Sequence, residues 1–249
     1  MQQPEASSVR FSIVLPARNE EGRIGETLAL YYAYFVKHCE AAFEFIIMAN
    51  ACTDRTVEVV QEIAQKNPAF RVLETQKPGK GRAILEGFRQ ARGRAAAFCD
   101  SDGSTEPADL LALLQKVDSG QYDCAIGSRW LPQSNVPVPQ PLRRRVASRL
   151  FNLVVRVTFG FPYKDTQCGA KAFNAKALEV IHDSVASVGY HFDCEVLWRL
   201  KQAGLRVVEV PITWRDQGGS GIQLGRDGLK MLAGLLKIRF GSSRKRNTR

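Results

Sequence analysis

The sequence predicts an α/β fold built on a mostly parallel, doubly wound sheet flanked by helices. Two observations point there. Short apolar runs alternate with amphipathic stretches four times over between Phe11 and Asp100, the pattern of parallel strands joined by crossover helices. Each run also stops at a polar, basic or acidic loop, as the rim of an open α/β sheet does where ligands bind.

Taken in order, Phe11-Ser12-Ile13-Val14-Leu15-Pro16 reads as the first strand, closed by Pro16, and Ala17 to Gly22 as its loop. Arg23 to Lys37 repeats Ile24, Leu28, Tyr31, Tyr32 and Phe35 at helical spacing. Phe43 to Met48 is the second strand and ends in Ala49-Asn50-Ala51-Cys52. A helix over Thr53–Lys66 follows, with Thr53 or Asp54 as its cap. Phe70 to Glu74 is the third strand, and Pro78-Gly79-Lys80-Gly81-Arg82 is a glycine-flanked basic loop opening a helix from Ala83 to Ala91. Ala95 to Cys99 is the fourth strand. Beyond it, the reading is a helix over Asp109–Asp118, a strand over Tyr122–Gly127 ending in Ser128-Arg129, and a proline-rich loop from Pro132 to Pro141. That loop is longer than a mere connector. Then come Arg143-Arg144-Arg145, an amphipathic helix over Val146–Phe159, a helix opened by His191-Phe192-Asp193-Cys194-Glu195, and a late strand over Val207–Trp214. Residues 226–240 read as a helix with Leu229, Leu232, Leu235, Leu236 and Phe240 beside Arg226, Lys230, Lys237 and Arg239, followed by a basic tail. Residues 1–9 are expected to be disordered, 10–225 to form one domain, and 226–249 to contact a membrane surface.

The fourth strand ends in Asp100-Ser101-Asp102-Gly103. Side chains alternate along a strand, so two acids one residue apart point the same way, roughly 7 Å apart. Such a pair suits a hard divalent cation, Mg²⁺ or Mn²⁺, that keeps positions open for phosphate oxygens. The same tripeptide also serves as two capping acids in a solvated turn. Lys80 between glycines is placed to sit on a phosphate, although the longer P-loop pattern is absent.

Composition narrows the function. With 249 residues, 45% hydrophobic and 24% charged, the chain can bury a sizeable core and is not a disordered sequence. The formal charge of +10 favours anionic partners: nucleotides, nucleic acid or an anionic membrane. The six cysteines fall in no Cys-x-x-Cys pair, which argues against a zinc site or a disulfide framework and for a reducing, cytoplasmic setting. Met1 to Ser8 has no apolar signal-like core, and no apolar run reaches the ~18 residues of a spanning helix. Nucleic acid is not expected as a partner, because the basic residues are scattered and carry no recognisable binding motif.

Read together, several motifs resemble the family 2 glycosyltransferases of the GT-A fold, and within them the polyprenyl-phosphate branch of dolichyl-phosphate glucose and mannose synthases. The resemblance spans roughly residues 10 to 240. It rests on Ile13-Val14-Leu15-Pro16-Ala17-Arg18-Asn19-Glu20-Glu21, Thr53-Asp54-Arg55-Thr56, Gly79-Lys80-Gly81, Asp100-Ser101-Asp102 and Gly127-Ser128-Arg129. Asp165-Thr166-Gln167-Cys168-Gly169-Ala170-Lys171, Phe192 to Trp198 and Glu209 to Trp214 resemble the glucose synthase version in particular. It implies that Pro16, Ala17, Arg18 and Glu20 line a nucleotide pocket with Asn50, Gly79 and Lys80. It implies that Asp100 and Asp102 hold the metal and the nucleoside diphosphate sugar, a UDP- or GDP-hexose, and that Arg129 and Lys171 face acceptor or diphosphate charges. Two departures stand out. Ala49-Asn50-Ala51-Cys52 lacks the acid that often reads the base, and Gly219-Ser220-Gly221 lacks a following lysine, for which Arg226 is a candidate replacement.

The implied reaction is an inverting, metal-dependent hexosyl transfer to a polyprenyl phosphate, at the cytoplasmic membrane face. A phosphate acceptor needs cations rather than a base, because its second pKa is about 6. Arg129, Arg143, Arg144, Arg145 and Lys171 lie in the acceptor half, although the Arg143–Arg145 run also reads as solubility charge. The alternative is a hydroxyl acceptor with Asp193 or Glu195 as general base; a plainer reading gives these two acids helix capping and an ion pair. A nucleotidyltransferase lacks its glycine-rich loop here, and an inactive relative is disfavoured by the intact Asp100 and Asp102.

Overall fold

The computed structural model describes residues 9–189, 191–218 and 233–240. Its centre is a seven-stranded sheet of order β3-β2-β1-β4-β7-β5-β8. The strands β1 (Phe11–Ala17), β2 (Phe43–Asn50), β3 (Phe70–Thr75) and β4 (Ala95–Cys99) alternate with α1 (Ile24–His38), α2 (Thr56–Lys66) and α3 (Lys80–Arg89). Pairing is parallel throughout this half, with Phe11 opposite Phe43 on one side and Ala95 on the other. Every residue of β4 is buried, which is why it reads as an unbroken run of small apolar residues rather than an alternation.

The second half is α4 (Pro107–Asp118), β5 (Cys124–Ser128), β6 (Asn135–Val138), α5 (Leu142–Phe159), β7 (Ala170–Asn174), α6 (Ala175–Ser184), α7 (Phe192–Gln202), β8 (Val207–Pro211) and β9 (Thr213–Arg215). β7 runs antiparallel between β4 and β5, so the sheet is mostly, not wholly, parallel. The sequence reading has neither this strand nor α6, because Lys171 interrupts the short apolar run of β7. The proline-rich loop contains β6, which pairs with β9 as a separate two-stranded sheet. The late strand is accordingly two strands, parted at Ile212.

Two apolar clusters fill the faces of the sheet. One gathers Val14, Ile46, Phe88, Phe98, Phe173 and Phe192 beneath α3, α6 and α7, and the other Leu15, Leu28, Phe35, Phe45, Leu110 and Leu114 beneath α1 and α4. The segment 233–240 is helical and buries Leu235 and Ile238 in the first cluster. Its Arg239 lies 4.7 Å from the Trp198 ring and donates to the Thr158 carbonyl at 3.2 Å. The described part of the expected C-terminal helix therefore packs one face on the core. Leu229, Leu232, Arg226, Lys230, Gly219-Ser220-Gly221, the basic tail and residues 1–8 lie outside the described residues.

Candidate active site

The strand order reverses between β1 and β4, and the crevice beyond their carboxyl ends is where an open α/β sheet places its ligand. Ser101 closes that crevice by donating its Oγ proton to the Pro16 carbonyl at 3.0 Å, which sets Pro16 and Ala17 beside the two acids. The loop after β1 and the start of α2 are bonded into one unit. Asn19, at φ 56°, accepts the Thr53 N–H at 2.8 Å, and the Glu20 N–H donates to Thr56 Oγ1 at 2.7 Å. Glu21 N–H reaches Asp54 Oδ2 at 3.1 Å, and Asp54 Oδ1 accepts the N–H and the hydroxyl of Thr56. Asp54 thus caps from two residues ahead of a helix that starts at Thr56. Arg18 is exposed, and the Glu20 carboxylate is paired with Arg23 one turn on. Asn50 ends β2 nearly fully buried, and its Oδ1 has no hydrogen-bond partner among the described residues.

Lys80 is the first residue of α3, placed by Gly79 at φ 143°, and its ammonium is ion-paired with Asp100 Oδ1. Burial opposes that charge, but Asp100, Asp193 and Asp102 outweigh it and hold the Lys80 pKa above the lysine range. The Asp100 N–H donates to the Gly169 carbonyl at 3.1 Å, and the Asp100 carboxylate lies directly over that glycine. A Cβ at 169 would fall 1.9 Å from Asp100 Oδ2, so only glycine admits this arrangement. Asp102 Oδ1 accepts the Ser104 N–H at 3.0 Å. Burial and then the charge of Asp100 push the Asp102 carboxyl up, beyond what Ser104 and Arg23 pull back. The pair thus carries negative charge that its protein neighbours leave incompletely compensated, and a divalent cation fits it on these grounds. Among the described residues no group of three or more His, Cys, Asp or Glu forms a metal cluster, so further ligand positions would fall to phosphate oxygens and water.

Lys171 is fully buried on β7. Its ammonium donates to the Cys168 carbonyl at 2.6 Å and to Asp193 Oδ1, and lies 5.4 Å from the Phe98 ring centroid. Expected to face acceptor charges, it is instead enclosed, and it pins the turn that carries Asp165 and Gly169. Asp193 is thereby held in an ion pair. Glu195 accepts the Ser187 N–H at 2.7 Å and Arg199 Nη2 at 3.1 Å, bracing the segment whose Val188 carbonyl accepts the Gly81 N–H. Both acids are ion-paired, as the plainer reading has it, but neither caps α7, whose N-terminus has no side-chain cap.

Arg129 leaves the end of β5 and grips Asp165 with both edges of its fork, Nε at 2.7 Å and Nη2 at 3.0 Å, while its own N–H donates to Asp165 Oδ2 at 3.1 Å. Burial alone would push Asp165 up; the Arg129 guanidinium outweighs it and holds the carboxyl below the usual range. The guanidinium carbon lies 5.2 Å from the Trp214 ring centroid and 5.8 Å from that of Trp130. These groups, with Arg145 and Arg149, line a cavity of about 270 Å³. Of the arginine run, only Arg145 reaches it. The charge of Asp100 also reaches Arg129, less strongly than that of Asp165. Sequence reasoning passed over Asp165, Gly169, Trp130, Arg149 and Trp214 as individual site residues. Asp165 and Gly169 stand within a motif, and Trp130 directly follows Arg129, which was the available signal.

Comparison with known proteins bears on the family and the fold. Among curated relatives, the glycosyltransferase AglD of Haloferax volcanii is 35% identical over 234 residues, covering 93% of this chain but 37% of that protein. The dolichyl-phosphate beta-glucosyltransferase of Saccharomyces cerevisiae is 29% identical over 248 residues, covering 92% of this chain and 74% of that protein. The chain thus spans little more than a third of the archaeal relative and about three quarters of the yeast one. The fold is shared with the glucosyl-3-phosphoglycerate synthase of Mycobacterium tuberculosis solved with Mn²⁺, UDP-glucose and phosphoglyceric acid, at TM-score 0.70, 20% identity, and coverage of 93% of this chain and 80% of that one. The family described as Glycosyl transferase family 2 matches residues 12–181, from β1 through the acid pair to α6. The chain belongs to glycosyl transferase family 2 and carries that family's glycosyltransferase domain.

Proposed function

We propose that the chain transfers a hexose, with inversion, from a UDP- or GDP-hexose to a polyprenyl phosphate. One observation carries the choice of acceptor. The cavity at the end of β5 offers Arg129, Arg145 and Arg149, whereas the two carboxylates considered as bases, Asp193 and Glu195, are each held in an ion pair. A phosphate that is already largely dianionic needs no proton acceptor; it needs cations to hold and orient it. The yeast relative's name, a transferase to dolichyl phosphate, supports the same class of acceptor.

In this reading Asp100 and Asp102 would hold Mg²⁺ or Mn²⁺, which supplies positive charge to the diphosphate as it leaves. The Mn²⁺ and UDP-glucose in the mycobacterial structure's title support that choice of ligands. Pro16, Ala17, Arg18 and Glu20 line the nucleotide side, and the orphaned Asn50 Oδ1 accepts an N–H from the base. That bond relieves a buried acceptor whose isolation costs about 1–3 kcal/mol. Lys80 holds Asp100 in place and adds a cation near the leaving group. Arg129, fixed by Asp165 and the two tryptophans, turns its remaining N–H groups toward the acceptor phosphate. Held opposite the diphosphate, that oxygen attacks the anomeric carbon from the far face. Lys171 acts as a positioning residue through Cys168 and Asp193. The test is steady-state turnover with one polyprenyl phosphate and one sugar-alcohol acceptor. Arg149→Ala is expected to raise the acceptor KM about tenfold and leave the donor KM unchanged. Turnover on the alcohol alone, lost in Asp193→Asn at an unchanged melting temperature, would favour the hydroxyl reading.

A further inference from the structure

The longest helix of the described chain, α5, shows solvent a face that no packing explains. Leu142, Val146, Leu150, Leu153 and Val157 are 71, 58, 61, 52 and 77% exposed. At 3.6 residues per turn they fall within about 80° of arc, a continuous stripe down the whole helix. The residues α5 buries, Asn152, Val155 and Phe159, lie on nearly the opposite side. The stripe thus points away from the core. A soluble surface rarely carries a contiguous apolar strip of this length without a partner.

Charge selects the partner. The helix contains Arg143, Arg144, Arg145, Arg149 and Arg156 and no acidic residue. By the same geometry Arg145, Arg149 and Arg156 line one margin of the stripe and Arg143 the other. An apolar ridge edged by arginines matches an interface of acyl chains and anionic headgroups. It matches a second copy of itself poorly, because the arginines would face one another. No described helix is long and apolar enough to cross a membrane, so α5 would lie in the interface plane. Arg145 and Arg149 belong to this margin and also line the cavity with Arg129 and Trp130. The segment 233–240, bonded to α5 through Arg239 and Thr158, leaves Leu236 and Phe240 exposed as well.

We infer that the exposed stripe of α5 is a membrane-docking face that lies in an anionic lipid surface and presents the arginine-lined cavity to phosphate groups at that surface. The choice of a lipid partner rests partly on the acceptor proposed above and partly on the charge of α5 itself. Of the anchor expected from sequence at 226–240, residues 226–232 lie outside the described residues.

The test uses the full chain and the triple variant Leu150→Gln, Leu153→Gln, Val157→Gln, whose exposed positions should leave circular dichroism and melting unchanged. Flotation is run with vesicles of phosphatidylcholine alone and mixed with phosphatidylglycerol, at low and high salt. The chain should float with the mixed vesicles, less so as salt rises. The triple variant should partition at least about 10²-fold more weakly. Its turnover of a short, water-soluble prenyl phosphate should match the parent chain, while turnover of a vesicle-embedded acceptor falls. A parent chain that does not float, or a triple variant that floats equally well, overturns the inference. So does a concentration-dependent dimer in sedimentation that the triple variant abolishes, which would make the partner a second copy. If no prenyl phosphate of any length accepts the sugar but flotation behaves as stated, the acceptor reading fails and the docking face stands.

Discussion

Replacing Lys171 by methionine separates a structural ammonium from a substrate-binding one. Lys171 is fully buried and Asp193 almost so, and the ammonium's neighbours are the Asp193 carboxylate, the Cys168 carbonyl and the Phe98 ring. Lys171→Met leaves a buried carboxylate without its cation, and Asp193→Asn leaves a buried ammonium without its anion. Breaking such a pair on one side costs about 3–5 kcal/mol, whereas removing both charges is often nearly neutral. For a domain of this size each kcal/mol lowers Tm by roughly 2–4 °C. Either single variant should therefore melt about 6–20 °C lower, and the double variant Lys171→Met, Asp193→Asn should recover most of that loss. Chemical denaturation of all four proteins closes the cycle, with a coupling energy of roughly 5 kcal/mol or more expected from these single-variant costs. Turnover measured well below each Tm should fall in the singles, because the turn bearing Asp165 and Gly169 loosens, and return in part in the double. If Lys171→Met keeps its Tm but loses turnover, and the double variant restores nothing, the ammonium touches substrate and the positioning argument is wrong.

Three more outcomes follow from the same geometry. Asp102→Asn should lower turnover by at least ~10², and full activity of that variant in chelator-treated buffer would remove the metal assignment. Gly169→Ala puts a Cβ where Asp100 Oδ2 now lies, 1.9 Å away, so the carboxylate must swing off; the variant should melt within a few degrees of the parent yet lose about tenfold or more in turnover. Arg129→Gln takes the cation from Asp165, which is fully buried and held below the usual carboxylate range by that cation. In the parent, that lowered carboxyl stabilises the fold above about pH 4, the unfolded Asp value, and the gain is lost as pH falls through the lower folded value. In the variant burial is opposed only by the residue 129 N–H and the charge of Lys171, so the carboxyl rises and the deficit in urea unfolding should be larger at pH 7 than at pH 4.5. An equal deficit at both would mean that Arg129 does not govern the Asp165 charge.

The strands and helices of the first half were legible because each is built on local periodicity. Ala95 to Cys99 announces a fully buried strand by having no polar face, and Asp100-Ser101-Asp102 is positioned by the strand that precedes it. Which charges neutralise which was not legible in that way. Lys171 and Asp193 are 22 residues apart and Arg129 and Asp165 are 36 apart, and neither pairing leaves a trace in spacing. The direction of β7 escaped for a related reason, since a five-residue strand with lysine as its second residue has no apolar run to read, and only its neighbours β4 and β5 make it a strand. The amphipathic character of α5 was plain, but not which of its apolar residues face the core. Sequence by itself determined the fold class, the acid pair at the rim and the basic balance of the chain, because these follow from local alternation and composition. Only the tertiary structure decided that Lys171 is enclosed, that Arg129 is gripped by Asp165, and that Leu142 to Val157 present a stripe to solvent, because burial is set by what packs across a gap and periodicity carries no record of it.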